Sequence, residues 1–406
     1  MSEKIPKGWK WVKLGDAVII NPNETLKKGI IAKKVHMEAL HPFTKKVKFF
    51  VFEKYNGGVK FKNGDTLVAR ITPSLENGKT VYVDLLDDDE IGFGSTEFIV
   101  LREKSGITDK QFVYYFAISN DFRDVAIKSM TGSSGRQRVQ NEVVKEFEFP
   151  LPPLPEQKSI AEVLSSIDDK IDLLHRQNKT LEEMAMTLFR QWFIEPTKDG
   201  LPEGWEECTL NDLCLKIASG GTPSTKIKEY YDGHINWYST KELNDGFLFE
   251  SEKKITLQGL ENSSAKLFPK GTIVMAIYAA PTVGRLGILT NEASFNQAAC
   301  GLVPNTEVCS TEFLYLYLKS ERENLNIMAS GSAQQNLNVN KIKTYPTIKV
   351  PKNIMIRFNK IVRPIFHKIE NNSYQIQTLE KLRDTLLPKL MSGEVRVKVE
   401  NNELKG

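Results

Sequence analysis

The chain repeats itself. Ile5-Pro6-Lys7-Gly8-Trp9 returns as Leu201-Pro202-Glu203-Gly204-Trp205, a displacement of 196, and Leu14-Gly15-Asp16 has its echo in Leu210-Asn211-Asp212. Gly64-Asp65-Thr66-Leu67-Val68-Ala69 returns as Gly271-Thr272-Ile273-Val274-Met275-Ala276, now 207 on, so the second copy carries insertions in its first half. From residue 130 onward the displacement is a steady 198: Met130, Gln137, Ile167, Lys170, Ile171, Thr180, Leu181, Glu182 and Leu188 match Met328, Gln335, Ile365, Lys368, Ile369, Thr378, Leu379, Glu380 and Leu386. A period this long is a domain duplication, since solenoid repeats run to about 20–50 residues.

Each copy divides in two. The first part mixes β-rich runs, such as Phe98-Ile99-Val100-Leu101, with turns rich in Gly, Asn and Asp, and predicts a helix at 110–120 and at 311–319. The second part predicts one long helix. In the first copy it follows Pro150-Leu151-Pro152-Pro153-Leu154-Pro155, an extended connector, and opens at Glu156-Gln157. Apolar residues then recur at alternating steps of three and four: Ile160, Leu164, Ile167, Ile171, Leu174, Leu181, Ala185, Leu188 and Trp192, with Asn178 in the one gap. The second helix repeats the pattern with Phe358, Val362, Ile365, Ile369, Ile376, Leu379, Leu386 and Leu390, interrupted by Asn372 and Arg383; Pro364 is a potential kink. Two matched heptad seams pair most simply with each other, and in a pseudo-two-fold duplication they pair antiparallel. Pairing residue 176 near 374 sets Asn178 on Asn372, Leu174 on Ile376, Leu181 on Ile369 and Trp192 on Phe358, with the asparagines fixing register. Thirty-five helical residues span roughly 50 Å, which would hold two heads about 15 base pairs apart on B-DNA. The expected class is α+β: two similar globular domains and two long antiparallel helices forming a coiled coil. The expected boundaries are 1–150, 151–197, 198–349 and 350–406.

Composition narrows the function. The 406 residues are 40% hydrophobic and 26% charged, ordinary for a soluble multidomain protein. The N-terminus is unlike a secretory signal and no apolar run reaches the ~20 residues of a membrane span, so a cytoplasmic location and no membrane partner are expected. The four cysteines form no C-x₂-C pair, so no metal site is expected. Net charge is only +4, but residues 27–62 carry ten lysines against two glutamates, a formal +8, interleaved with Phe43, Phe49, Phe50, Phe52 and Tyr55. Such a stripe suits a phosphate-contacting face; the alternative is a solvated surface over core aromatics.

Catalytic motifs fail in turn. Asn77-Gly78-Lys79-Thr80 resembles a phosphate loop, but Pro73 stands where the motif needs Gly, and the second copy offers only Val283-Gly284-Arg285. There is no N/D-P-P-Y/F/W segment for base methylation, no G-x-G-x-x-G after a strand, and no nuclease-like carboxylate set. His36, His41, His175, His234 and His367 are scattered. What repeats is turn and packing residues, while the polar loops differ, as in two modules with one scaffold and two specificities.

With these features the chain resembles the specificity (S) subunits of type I restriction–modification systems over nearly its full length. The carriers are Pro6–Trp9 and Pro202–Trp205, Gly64–Arg70, Gly132-Ser133-Ser134-Gly135-Arg136-Gln137, Pro152–Gln157 with Ile160, and Ser219-Gly220-Gly221-Thr222-Pro223-Ser224 followed by Ile235-Asn236-Trp237. Val350-Pro351-Lys352-Asn353 departs from the Pro-Leu-Pro-Glu-Gln of the first copy. The resemblance implies two target-recognition domains, each reading half of a bipartite duplex site, and helical regions that dock two methyltransferase (M) subunits. Restriction (R) subunits join through the complex. It implies a non-catalytic chain with no cofactor of its own; S-adenosylmethionine, ATP and Mg belong to the partners.

Base and phosphate reading needs polar and basic loop residues. In the first head the candidates are Lys27, Lys28, Lys33, Lys34, Lys45, Lys46, Arg70, Thr72, Ser74, Lys79, Ser133, Ser134, Arg136 and Arg138. In the second they are Ser219, Thr222, Ser224, Lys226, Tyr238, Lys241, Tyr278, Arg285, Ser332, Gln334 and Gln335. The rival readings are a specificity subunit of another composite enzyme, a two-headed protein-interaction scaffold and an orphan methyltransferase.

Overall fold

The structure, a computed structural model, describes residues 5–278, 283–330 and 336–398, without the side chain of Ser330. It forms two compact units, Met1–Asp172 with Thr378–Gly406, and Leu173–Gln377. Each long helix, Leu154–Phe189 and Lys352–Met391, contributes to both.

In the first unit, Val18–Ile20, Phe98–Glu103, Thr66–Ala69 and Thr80–Tyr82 form a four-stranded antiparallel sheet in that order. A second sheet orders Val51–Lys54, Ile31–Val35, Gly92–Gly94 and Val59–Phe61, its central pair parallel. Lys10–Lys13 pairs antiparallel with Glu148–Leu151. The helix Lys110–Ile118 begins where Asp109 accepts hydrogen bonds from the amides of Gln111 and Phe112, and it buries Phe112 to Ala117.

The second unit repeats the plan with an extra strand. Cys214–Ser219, Ala299–Pro304, Ile273–Ala276 and Leu286–Leu289 follow the order of the first sheet, and Gly246–Leu248, from the longer first half of this copy, adds a fifth strand. Lys253–Ile255, Tyr231–Tyr238 and Ala293–Phe295 form the second sheet, and Glu206–Thr209 pairs with Pro346–Lys349. The helix Thr311–Ser320 is capped by Ser310. The repeated turns are equivalent in detail. Gly8 and Gly204 hold φ of +92° and +79°, while Trp9 and Trp205 each donate an amide hydrogen bond to Pro6 and Pro202 at 3.1 Å. Gly64 and Gly271, also at positive φ, lead into the wholly buried strands Thr66–Ala69 and Ile273–Ala276.

The first long helix starts at Leu154, two residues earlier than the sequence suggests. Pro155 sits in its first turn, where a missing N–H costs nothing. The second helix runs unbroken through Pro364. Within each unit the helices are antiparallel. In the second unit Asn372 Nδ2 donates to Asn178 Oδ1 at 2.9 Å and Asn178 Nδ2 donates to Ser373 Oγ at 3.1 Å. Farther along, the Trp192 and Phe358 rings lie 5.9 Å apart. In the first unit Arg383 meets Asp168 at 3.0 Å.

The buried helical face is wider than the expected seam. Leu164, Ile167, Ile171, Leu174, Phe358, Val362, Ile369 and Ile376 are buried, but Leu181, Leu188, Trp192, Ile365, Leu379 and Leu386 are only half-buried. Phe189, Phe193, Phe366 and Leu387 are buried in addition. These helices pack on a globular head as well as on each other, so a two-position stripe is too narrow for them. Phe193 lies 4.9 Å from Phe313 of the head and 4.7 Å from Phe358 of the other helix. The first unit's core likewise joins Leu14, Val68, Ile99 and Phe116 to Ile160 and Leu164 of one helix and Leu387, Leu390 and Met391 of the other.

Candidate nucleic-acid interface

The lysine-rich segment of the first head does not present one continuous basic face. Lys33 is buried, and its ammonium donates to Asp87 at 2.9 Å, Glu90 at 2.8 Å and the Leu85 carbonyl at 3.2 Å. Lys45 is buried too, donating to Gln111 Oε1 at 2.8 Å and Ser165 Oγ at 3.1 Å among the rings of Tyr82, Tyr114 and Tyr115. Burial pushes its pKa down. Both are therefore scaffold residues, a correction to the sequence expectation: an amine buried against protein acceptors is shielded from a phosphate. Lys34 pairs with Glu53 at 2.8 Å, and Lys46 with Asp172 and Asp84. Lys27 and Lys28 stand exposed in the turn before the strand Ile31–Val35. Of the aromatics read as alternative core residues, Phe43, Phe49, Phe50 and Phe52 are exposed, whereas Tyr55 is half-buried with its ring 5.2 Å from that of Phe93.

Backbone pairing brings the remaining candidates of this head together. Thr131 and Arg138 bridge each other, and Ile71 bridges Arg138. The amide of Thr72 donates to the Gln137 carbonyl, and that of Val139 to Arg70. The loop carrying Ser133, Ser134 and Arg136 is thereby laid along the segment carrying Arg70, Thr72 and Ser74. Ser133, Ser134 and Arg136 are exposed at the tip, which turns through Gly135 at φ +76°. Arg138 is held by Glu97 through a doubly hydrogen-bonded pair at 2.7–3.0 Å, and Glu97 is held below its usual pKa chiefly by that hydrogen bonding. Lys79 donates to the Met37 carbonyl at 3.0 Å.

In the second head Ser224, Lys226, Lys241 and Tyr278 are exposed, while Ser219 and Arg285 are half-buried. The Thr222 hydroxyl donates to Gln297. Tyr238 is a correction: it is buried in the core with Phe268 and Phe295, because residues at the end of this central strand are covered on both faces, and burial raises its pKa. Ser332, Gln334 and Gln335 lie outside the described residues. Leu337 donates its amide to Ile277 at 2.9 Å, as Val139 does to Arg70 in the first head. Gln297, the acceptor for Thr222, carries no sequence motif.

Among the described residues no group of His, Cys, Asp and Glu could hold a metal, and no helix is long and apolar enough to cross a membrane. The cysteines are free, and burial raises the thiols of Cys208 to about 11 and of Cys214 and Cys300 to about 12.

The type I restriction modification DNA specificity domain matches this chain twice, over residues 6–183 and 202–381. The chain belongs to that family. Each match takes in one head and most of one long helix, so the family's unit is the duplicated unit. Among curated relatives, the type I restriction enzyme HindI specificity subunit of Haemophilus influenzae is 27% identical over 82% of this chain and 87% of its own. The MjaIX specificity subunit of Methanocaldococcus jannaschii is 29% identical over 72% and 71%. The crystal structure of a type I restriction-modification S subunit from M. genitalium shares the fold, with a TM-score of 0.61 at 18% identity, covering 96% of this chain and 97% of that one.

Proposed function

We propose that this chain is the DNA-reading specificity subunit of a type I restriction–modification complex. Its target-recognition domains, 1–150 and 198–349, each read one half of a bipartite duplex target. The helical regions, 151–197 and 350–406, dock two methyltransferase subunits, and restriction subunits join through that assembly in the cytoplasm. The chain is non-catalytic; S-adenosylmethionine, ATP and Mg act on the partner chains. The observation that carries the reading is the double match to the family's DNA specificity domain, on a duplicated frame whose exposed loops differ between copies. Two heads with one scaffold and unlike loops suit a target with two unlike halves. The loop tip Ser133–Arg136 and the exposed Ser224, Lys226 and Lys241 support it as places where side chains can reach a groove.

The test is methylome sequencing of cells that co-express this chain with its neighbouring M subunit. The expected result is a new bipartite methylated motif. Absence of any new motif, with the assembled complex binding mixed DNA no more tightly at low salt than at high salt, would return the chain to a protein-interaction scaffold.

A further inference from the structure

The strand Val51–Lys54 is the edge of its sheet and pairs only with Ile31–Val35. All four of its residues are exposed, whereas a strand in an antiparallel pair normally buries one face. Phe52 is 67% exposed and Phe50 38%. Phe50 immediately precedes the strand, and its ring meets that of Phe52 edge to face at 5.6 Å. The pair has a prop. Lys33 Nζ lies 5.4 Å from the centre of the Phe50 ring, and that ammonium is locked by Asp87, Glu90 and the Leu85 carbonyl. An ordered exposed aromatic pair is a binding feature rather than an accident of the surface.

Charge identifies the occupant. Lys48 and Lys54 flank the pair along the chain and Lys27 and Lys28 lie in the turn before the partner strand; all four are exposed, and none has a carboxylate partner among the described residues. Glu53, the strand's one acid, alternates to the opposite face and is paired with Lys34. An apolar surface rimmed by unpaired cations fits a polyanion with apolar edges, and in the DNA major groove the thymine methyl offers an aromatic side chain an apolar contact. We propose that Phe50 and Phe52 make the apolar base contact of the first head, with these lysines on the flanking phosphates. Lys33 is then a positioning residue beneath the ring. The inference rests on the DNA-reading proposal above.

It is tested on the assembled complex with M subunits, using a fluorescent duplex carrying the methylated motif and a mixed-sequence duplex of equal length. Phe50→Ala/Phe52→Ala should weaken binding to the motif duplex by about tenfold or more while leaving mixed-sequence binding nearly unchanged. Lys27→Ala/Lys28→Ala should weaken both duplexes alike and reduce the salt slope by about two. Phe52→Leu, which keeps an apolar contact, should fall between wild type and the double variant. Wild-type affinity for the motif in the double variant overturns the inference alone. So does loss of M-subunit copurification, which would make the pair a protein interface. A wild-type complex that prefers neither duplex overturns the DNA-reading proposal with it.

Discussion

Arg322 grips Asp245 through hydrogen bonds of 2.8 and 2.5 Å, and the Leu286 amide adds a third at 2.9 Å. Burial pushes the Asp245 carboxyl up, but these bonds outweigh it and hold the pKa below 3.8. The folded state thus favours the carboxylate more than the unfolded chain does. The resulting stability is complete above pH 3.8 and is lost as pH falls through the lower folded value. Asp245→Asn should cost on the order of 1–3 kcal/mol at neutral pH and flatten the acid limb of thermal stability; an acid limb identical to wild type would contradict this. Arg136, exposed at the loop tip, has no ion-pair partner among the described residues. Arg136→Ala should cost roughly 1–3 kcal/mol of binding to the target duplex and relax one base position, which methylome sequencing reads directly. The two arginines of this loop illustrate what a sequence hides. Arg136 and Arg138 look alike in the chain, yet Glu97, 41 residues from Arg138, engages only the latter. Lys33 and Lys45 disappear into the protein for the same reason: their partners Glu90 and Ser165 are 57 and 120 residues away.

At the scale of elements, the asparagine contact in the second unit is the register device. Asn372 is fully buried, its amide shared between Asn178 and Gln177. Asn372→Leu leaves polar partners facing an apolar side chain and should destabilise by about 1–3 kcal/mol. Adding Asn178→Leu should recover part of that loss, with a coupling of about 0.5–3 kcal/mol in a double-mutant cycle of denaturant melts. Strictly additive losses would mean that the two residues do not act as a pair. The helices were the most legible elements, because a heptad pattern survives in the sequence whatever the helix packs on. Phe189, Phe193 and Phe366 were not legible as core residues. They turn toward the heads, and a two-helix pattern has no position for a third surface. The duplication likewise exposed the paired turns at Gly8 and Gly204, whereas the fifth strand of the second head, Gly246–Leu248, has no counterpart from which to read it.

At the scale of the molecule, two heads with separate cores should respond separately. Substitutions in the loop Ser133–Arg136 should alter one half of the methylated motif, and substitutions at Ser224, Lys226 and Lys241 the other. A change in both halves from either set would argue against independent reading. The first unit also takes its last pieces from the far end of the chain: Leu387, Leu390 and Met391 complete its core, and Arg396 closes on Glu156 at 2.8 Å beside Trp9. The second unit lies within one contiguous stretch. On the ribosome, the half translated first is therefore the half that finishes folding last, and a frameshift after Gln377 would unmake the beginning of the protein while sparing its middle.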